Sequence, residues 1–327
     1  MKTGKLTPQE LEETVLSKLP LLSSSVSCGP GNGLDCAAVR FSPDCQIVVS
    51  SDPITGAGKN IGSLAIHVSC NDLAAFGVKA QAIMLVLLAP SNAKTEQIAE
   101  IMEQASSTAQ ILQVDIIGGH TEVSDAVNRF IITTTAIGFD NTGLVKSAGS
   151  KAGDSIIMTK MAALEGTAIL ASDCSEKLKN KLNDEELSLA KDMISQISVV
   201  PEGILAGHSG LAHAMHDATE GGILGAAWEM AEAAGLGITL DLNSIPVHDI
   251  TRKICSVLNI DPCKLISSGS MLIATDKPDQ LIRLLDSHNV YASVIGQMTD
   301  NEHRLLVSGD FVTILEPPQQ DELYKCV

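Results

Sequence analysis

Apolar residues recur at helical spacing from Ile61 to Phe76, and the rest of the chain is best understood around that stretch. Ile61, Leu64, Ala65, Val68, Leu73 and Phe76 follow one helical repeat. Gly77 stands where such a helix would end. Asn71 and Asp72 interrupt the apolar run. A carboxylate inside an apolar helix needs a partner, because an unpaired buried charge is very costly. A metal, a basic side chain, the end of another helix or a set of backbone amides would each serve.

The same patterning assigns the other elements. Thr7-Pro8-Gln9-Glu10 reads as a capping box opening a helix with Leu11, Val15 and Leu19 as its stripe. A Gly-rich loop from Cys28 runs into a short strand at Val39. Gln46–Pro53 reads as a strand carrying Asp52 at its end, and Ala82–Ala89 as an apolar strand. Thr95–Leu112 has the period of a helix, with Ile98, Ile101, Met102, Ala105 and Leu112 inward. Val114–Ile117 reads as a strand running into Gly118-Gly119-His120-Thr121-Glu122, and Phe130–Ile137 as another strand. The small, polar run Lys146–Gly153 is the expected boundary between two domains, 1–148 and 149–327. Beyond it lie a strand at Ser155–Thr159 and a capped helix at Asn183–Ile197. Leu211–Met215 leads into His216-Asp217-Ala218-Thr219-Glu220-Gly221-Gly222, and a helix follows to Ala234. The start of that helix offers free amides to an anion, or Thr219 simply caps it. Strands at Ile238–Leu242, Met271–Ala274, Ala292–Gln297 and Arg304–Val307 and helices at Ile250–Leu258 and Leu281–His288 complete an α/β (α+β) pattern. A polar tail begins near Pro317.

Composition narrows the function. The 327 residues carry 22 Lys+Arg against 39 Asp+Glu, a formal charge of -17, and aromatics make up 2%. This excludes a general nucleic-acid binder, which needs basic surface and stacking rings. An acidic chain that handles phosphates needs bridging cations or local backbone donors. The scattered cysteines form no CxxC pair, Met1 to Ser17 is polar rather than a secretory signal, and no apolar run is long enough to span a bilayer. These features predict a cytoplasmic protein with reduced thiols, without membrane or nucleic-acid partners. The Gly-rich loop matches neither a Walker motif nor a Rossmann fingerprint.

Five motifs in one order resemble the aminoimidazole ribonucleotide (AIR) synthetase superfamily. They are Gly31 to Val39, Ser51-Asp52, Asn71-Asp72-Leu73-Ala74-Ala75-Phe76-Gly77, Gly118-Gly119-x-Thr121, and Asp217 to Gly222 with the Ala231–Ile238 stretch. That group includes selenophosphate synthetase, thiamine-monophosphate kinase and the hydrogenase maturation factor that dehydrates a carbamoylated cysteine. The resemblance implies an N-terminal α/β domain that dimerises through its sheet, a C-terminal α/β domain, and ATP with Mg²⁺ in the cleft. It implies metal ligands at Asp35, Asp52 and Asp72. It implies nucleotide or phosphate contacts at Gly33, Asp35, Asp52, Asn71, Asp72, Gly118, Gly119, Thr121, Asp217, Thr219, Gly221 and Gly222. Acids at loop, strand-end and helix positions agree with Mg²⁺ bridging phosphates.

The chain is most similar to the hydrogenase maturation branch and departs from it at the chemistry. His120 stands where that branch has Asp in Gly-Gly-Asp-Thr, Glu122 where it has Lys, and Ser268 where it has Glu in Asn-Glu-Gly. The branch ends in Pro-Arg-Ile-Cys, whereas Cys326 here is followed by Val327. His120 and Glu122 are accordingly the candidates for catalytic base. The resemblance implies an ATP-dependent enzyme that phosphorylates an amide- or thioamide-like oxygen, which leaves as phosphate. The alternatives are a small-molecule kinase and an ATP-binding maturation partner without catalysis. Cys326, next to a polar terminus, reads as an ordinary thiol rather than a substrate carrier.

Overall fold

The computed structural model describes residues 7–14, 16, 24–55, 59–179 and 181–326, and two sheets follow one another along the chain. The first half comprises α1 (Pro8–Thr14), β1 (Val26–Cys28), β2 (Ala37–Ser42), β3 (Cys45–Ile54), α2 (Ile61–Ala75), β4 (Ala80–Pro90), α3 (Thr95–Leu112), β5 (Asp115–Ser124) and β6 (Ile131–Asp140). Its strands lie in the order β1-β2-β3-β6-β4-β5, antiparallel except for the β4–β5 pair. The second half begins with β7 (Ser155–Thr159), α4 (Leu164–Asp173), α5 (Ser175–Leu178), α6 (Asp184–Asp192), α7 (Val200–Ser209) and β8 (Ala214–Asp217). It continues through α8 (Gly222–Ala234), β9 (Gly237–Asp241), α9 (Asp249–Leu258), β10 (Met271–Thr275), α10 (Pro278–Asp286), β11 (Ala292–Thr299), β12 (Arg304–Ser308) and β13 (Phe311–Ile314). Here the order is β13-β12-β9-β11-β7-β10-β8.

Local signals account for many of these boundaries. Glu10 N–H donates to Thr7 Oγ1 at 3.3 Å while Thr7 N–H donates to Glu10 Oε2 at 3.0 Å. Asn183 and Glu186 make the same reciprocal pair at α6. Of the expected α1 stripe, Val15 and Leu19 lie outside the described residues. At the end of α2, Gly77 N–H donates to Ala74 O and Val78 N–H to Leu73 O. Gly77 has φ +76, so this is a Schellman stop that favours glycine.

α2 is buried on all sides: thirteen of its fifteen residues are inaccessible. One face packs on the first sheet, with Leu73 and Phe76 in its core. The opposite face meets α7 of the second half. Gly203 sits under the Ala74 carbonyl, and a Cβ on Gly207 would lie 2.6 Å from Gly77 Cα. Small residues let the two backbones approach, so the helix that carries Asp72 joins the two halves. No helix among the described residues is long and apolar enough to cross a membrane.

Among the described residues, the helices cover one face of the first sheet. Val48, Ile83, Ile132 and Ala136 point to them and are fully buried. Their alternates Val39, Phe41, Met84 and Phe139 point the other way and are exposed. β5 is the sheet edge beside β4, and most of its residues are exposed.

Candidate active site

The loop before β2, the end of β3, the middle of α2 and the end of β8 meet at a cavity of about 420 Å³. Asp35, Asp52, Asp72 and Asp217 line it, with Glu165 and Thr219 beside them. On β3, Ser50 and Asp52 lie on the same face as buried Val48, which turns them toward α2. The Ser50 hydroxyl sits between two carboxylates, 3.3 Å from Asp52 Oδ2 and hydrogen-bonded to Asp72 Oδ2. Burial pushes the Asp72 carboxyl well above the ordinary carboxylate range, and the charges of Asp52, Asp217 and Asp35 push it the same way. No lysine or arginine pairs with Asp52 or Asp72 among the described residues. The neighbours of Asp72 are thus other acids. Oxygen donors such as Asp52 and Asp72, crowded together without a lysine or arginine, fit a hard divalent cation such as Mg²⁺.

β8 adds a residue that is not among those expected for the site. His216 is 3% exposed, with Nδ1 at 2.9 Å from Asp35 and Nε2 at 3.1 Å from Glu229 Oε2. Burial by itself would lower its pKa, but Asp35 and Glu229 overcome this and hold the ring well above its usual value. Asp35, His216 and Asp217 place one donor atom each within 4.8 Å of one another. A protonated imidazole has no free lone pair, which leaves Asp35 and Asp217 as the carboxylates of that trio. A polar His-Asp pair within a four-residue strand that is buried throughout was the available signal.

Other expected site residues lie elsewhere. Asn71 is fully buried, and both ends of its amide are taken: Nδ2 donates to Ile197 O and Oδ1 accepts from Val199 N–H, each at 2.8 Å. It ties α2 to the second half instead of facing the cavity. Gly118, Gly119, His120, Thr121 and Glu122 continue β5. Three strand steps separate β5 from β3, about 14 Å. A Cβ on Gly119 would overlap the Leu85 carbonyl, so this glycine serves strand pairing. His120 Nε2 lies 3.4 Å from Glu122 Oε2 on the exposed surface, and neither lines the acid cavity. Gly33 packs against the Glu229 carbonyl and Gly222 against that of Cys263.

The start of α8 differs most from expectation. Its N-cap is Gly221, not Thr219, and Gly221 N–H donates to Asp321 Oδ2 at 2.7 Å. The chain's own carboxylate therefore occupies this helix terminus. Asp321 is 2% exposed, and burial pushes it up to about 6 against its backbone hydrogen bonds. The tail is docked rather than extended. Leu323 is buried in the core around α4, and Tyr324 Oη donates to Glu220 Oε1 at 2.6 Å. Tyr324 thereby forms part of the cavity wall. A larger cavity, about 750 Å³, opens beside Asn60, Gln104 and Arg129. The acid cavity is the candidate site, because carboxylates from both halves converge there, Asp72, Glu165 and Asp217 among them buried.

Comparison with known proteins agrees with this architecture. Residues 33–139 match the profile described as AIR synthase related protein, N-terminal domain, and residues 151–307 match its C-terminal domain. A Methanocaldococcus jannaschii protein named for hydrogenase expression and formation is 32% identical, over 92% of this chain and 90% of its own length. Carbamoyl dehydratase HypE of Cupriavidus necator is 26% identical, over 78% of this chain and 73% of that protein. The structure of hydrogenase maturation protein HypE in complex with ATP superposes with a TM-score of 0.72 at 17% identity, covering 97% of this chain and 94% of that one. AaThiL complexed with AMPPCP and TMP gives 0.77 at 16% identity, covering 98% and 99%.

Proposed function

The chain belongs to the AIR synthase related family, and from that premise we propose that it is an ATP- and Mg²⁺-dependent enzyme that dehydrates a carbamoyl-type amide. The amide oxygen takes the γ-phosphoryl group of ATP and leaves as phosphate. The observation that carries this reading is the convergence of Asp35, Asp52, Asp72 and Asp217 on one cavity between the two halves. Asp35, Asp52 and Asp72 would hold Mg²⁺, with Asp217 beside them. When bound, the ion would neutralise charge on the transferred group. The relatives named carbamoyl dehydratase and the ATP-bound HypE fold support the choice of chemistry.

Cys326 is not the substrate carrier in this reading. Its carbonyl accepts from Lys177 Nζ at 3.3 Å, its N–H donates to Leu323 O, and Asp321 pins the segment before it. The substrate is therefore carried on another molecule. The reading includes a homodimer formed through the uncovered face of the first sheet. That face presents Val39, Phe41, Met84 and Phe139, and a second copy would cover it and the β5 edge together. His120 and Glu122 would then lie at the subunit contact.

The fold likeness to AaThiL favours one second reading, a small-molecule kinase. Product analysis with Mg-ATP and a peptide bearing an S-carbamoylcysteine separates the two. Dehydration yields ADP and free phosphate in equal amounts, with one water lost from the peptide. ADP with a phosphorylated product selects the kinase. ATP binding without turnover of the peptide defeats the dehydratase reading.

A further inference from the structure

We propose that Glu165 is the proton-accepting residue of this cleft, taking the N–H proton of a primary amide as its oxygen is phosphorylated. The inference rests on the dehydratase reading and deepens it. Dehydration of a primary amide must remove two N–H protons, so the cleft needs a carboxylate that is not committed to a cation. Asp35, Asp52, Asp72 and Asp217 form the cation cluster, and Glu220 accepts the Tyr324 hydroxyl. Glu165 is the remaining acid of the cavity wall. It is 3% exposed, and Ser268 is the hydrogen-bonding group beside its carboxyl, with no basic side chain paired to it among the described residues.

The backbone around Glu165 is held tightly. Ala163 takes φ +60 at the start of α4, and its N–H donates to Ser267 Oγ at 2.8 Å. Gly166 N–H donates to Ile266 O at 3.1 Å, and Leu265 packs so closely on Gly166 that no side chain fits there. These contacts fix the first turn of α4 against residues 265–267 and place Glu165 beside Ser268. The related branch has a Glu where Ser268 stands. Here the carboxyl comes from α4, next to position 268, and the small Ser268 leaves room for it. Burial pushes Glu165 up to about 7, Ser268 pulls it partly down, and Asp321 and Glu220 raise it. A base in that range matches proton transfer near neutral pH.

The steps balance without a further reactant. The amide oxygen attacks the γ-phosphorus, an O–P bond forms, and the bond to the β–γ bridging oxygen breaks to give ADP. One N–H proton passes to Glu165 as its electron pair forms C=N. The C–O bond then breaks, the second N–H electron pair completes the C≡N bond, and that proton leaves with phosphate. Glu165 returns its proton to water.

The test compares the full-length parent with Glu165→Gln and with Glu165→Gln/Ser268→Glu. Phosphate release is followed against pH with the S-carbamoylcysteine peptide, Mg-ATP affinity by calorimetry, and the Glu165 carboxyl by infrared difference titration. Glu165→Gln is expected to lower kcat by about 10²–10⁴-fold, leave Mg-ATP affinity unchanged and remove the acidic limb of the pH profile. Restoring a carboxyl at position 268 is expected to recover part of kcat. In the parent, an infrared carboxyl band that Glu165→Gln removes should titrate near neutrality. Unchanged kcat in Glu165→Gln overturns the assignment, as does titration of that band in the ordinary carboxylate range. A parent that releases no phosphate, while the band titrates near neutrality, overturns the dehydratase reading and retains Glu165 as the proton-exchanging group of the cleft.

Discussion

Single buried charges define the site, and their surroundings set what each can do. Glu165 is pushed up from the ordinary glutamate value of 4.5 to about 7, mainly by burial. The folded chain therefore binds its proton more tightly than the unfolded chain does. Stability from this group is greatest at low pH and falls as pH rises from about 4.5 through 7. Glu165→Gln should remove that slope and stabilise the protein at pH 8 by on the order of 2–3 kcal/mol, read from urea unfolding across pH. Parallel pH profiles for parent and variant would show that Glu165 ionises as freely as in water. His216 presents the opposite case, a buried cation between Asp35 and Glu229. His216→Ala leaves two carboxylates facing each other and should cost about 3–5 kcal/mol, measured by the same unfolding. A loss below 1 kcal/mol would mean that the ring is neutral.

At the scale of elements, α2 couples the halves. Asn71→Ala removes both bonds to residues 197–199 and leaves the Val199 N–H and Ile197 carbonyl buried. The expected loss is about 2–4 kcal/mol, with the two halves melting separately in calorimetry. A single unchanged transition would put the coupling elsewhere. Much at this scale was legible in the sequence. The capping pairs Thr7/Glu10 and Asn183/Glu186 and the stop at Gly77 are local, and local chemistry can be read without a partner. α4 and α7 were not legible. α4 starts from Ala163 without a side-chain cap and buries almost every residue, so it shows no polar face. α7 starts after Val199, also without a side-chain cap. The Gly118–Glu122 segment matched a ligand-contacting motif, yet it continues β5, where Gly119 serves close pairing with β4. Asp35, Asp52, Asp72 and Asp217 could be named from their motifs. Their meeting with Glu165 and Tyr324 depends on how α4 and the tail fold back, and no local pattern encodes that.

The whole molecule is an acidic chain with one apolar sheet face and one acidic cleft. The first feature predicts a dimer. Light scattering at micromolar concentration should return twice the 34.3 kDa chain mass, and Phe41→Glu with Phe139→Glu should return the monomer without loss of helical content. A parent that scatters as a monomer leaves that face to some other contact. The cleft is the central claim, and calorimetric titration of Mg-ATP tests it most directly. The parent should bind one Mg-ATP per chain and none when EDTA replaces Mg²⁺. Asp52→Asn and Asp72→Asn should abolish binding while keeping or raising the melting temperature of the metal-free protein, since acids crowded together repel one another. Undiminished Mg-ATP affinity in both variants would contradict the account.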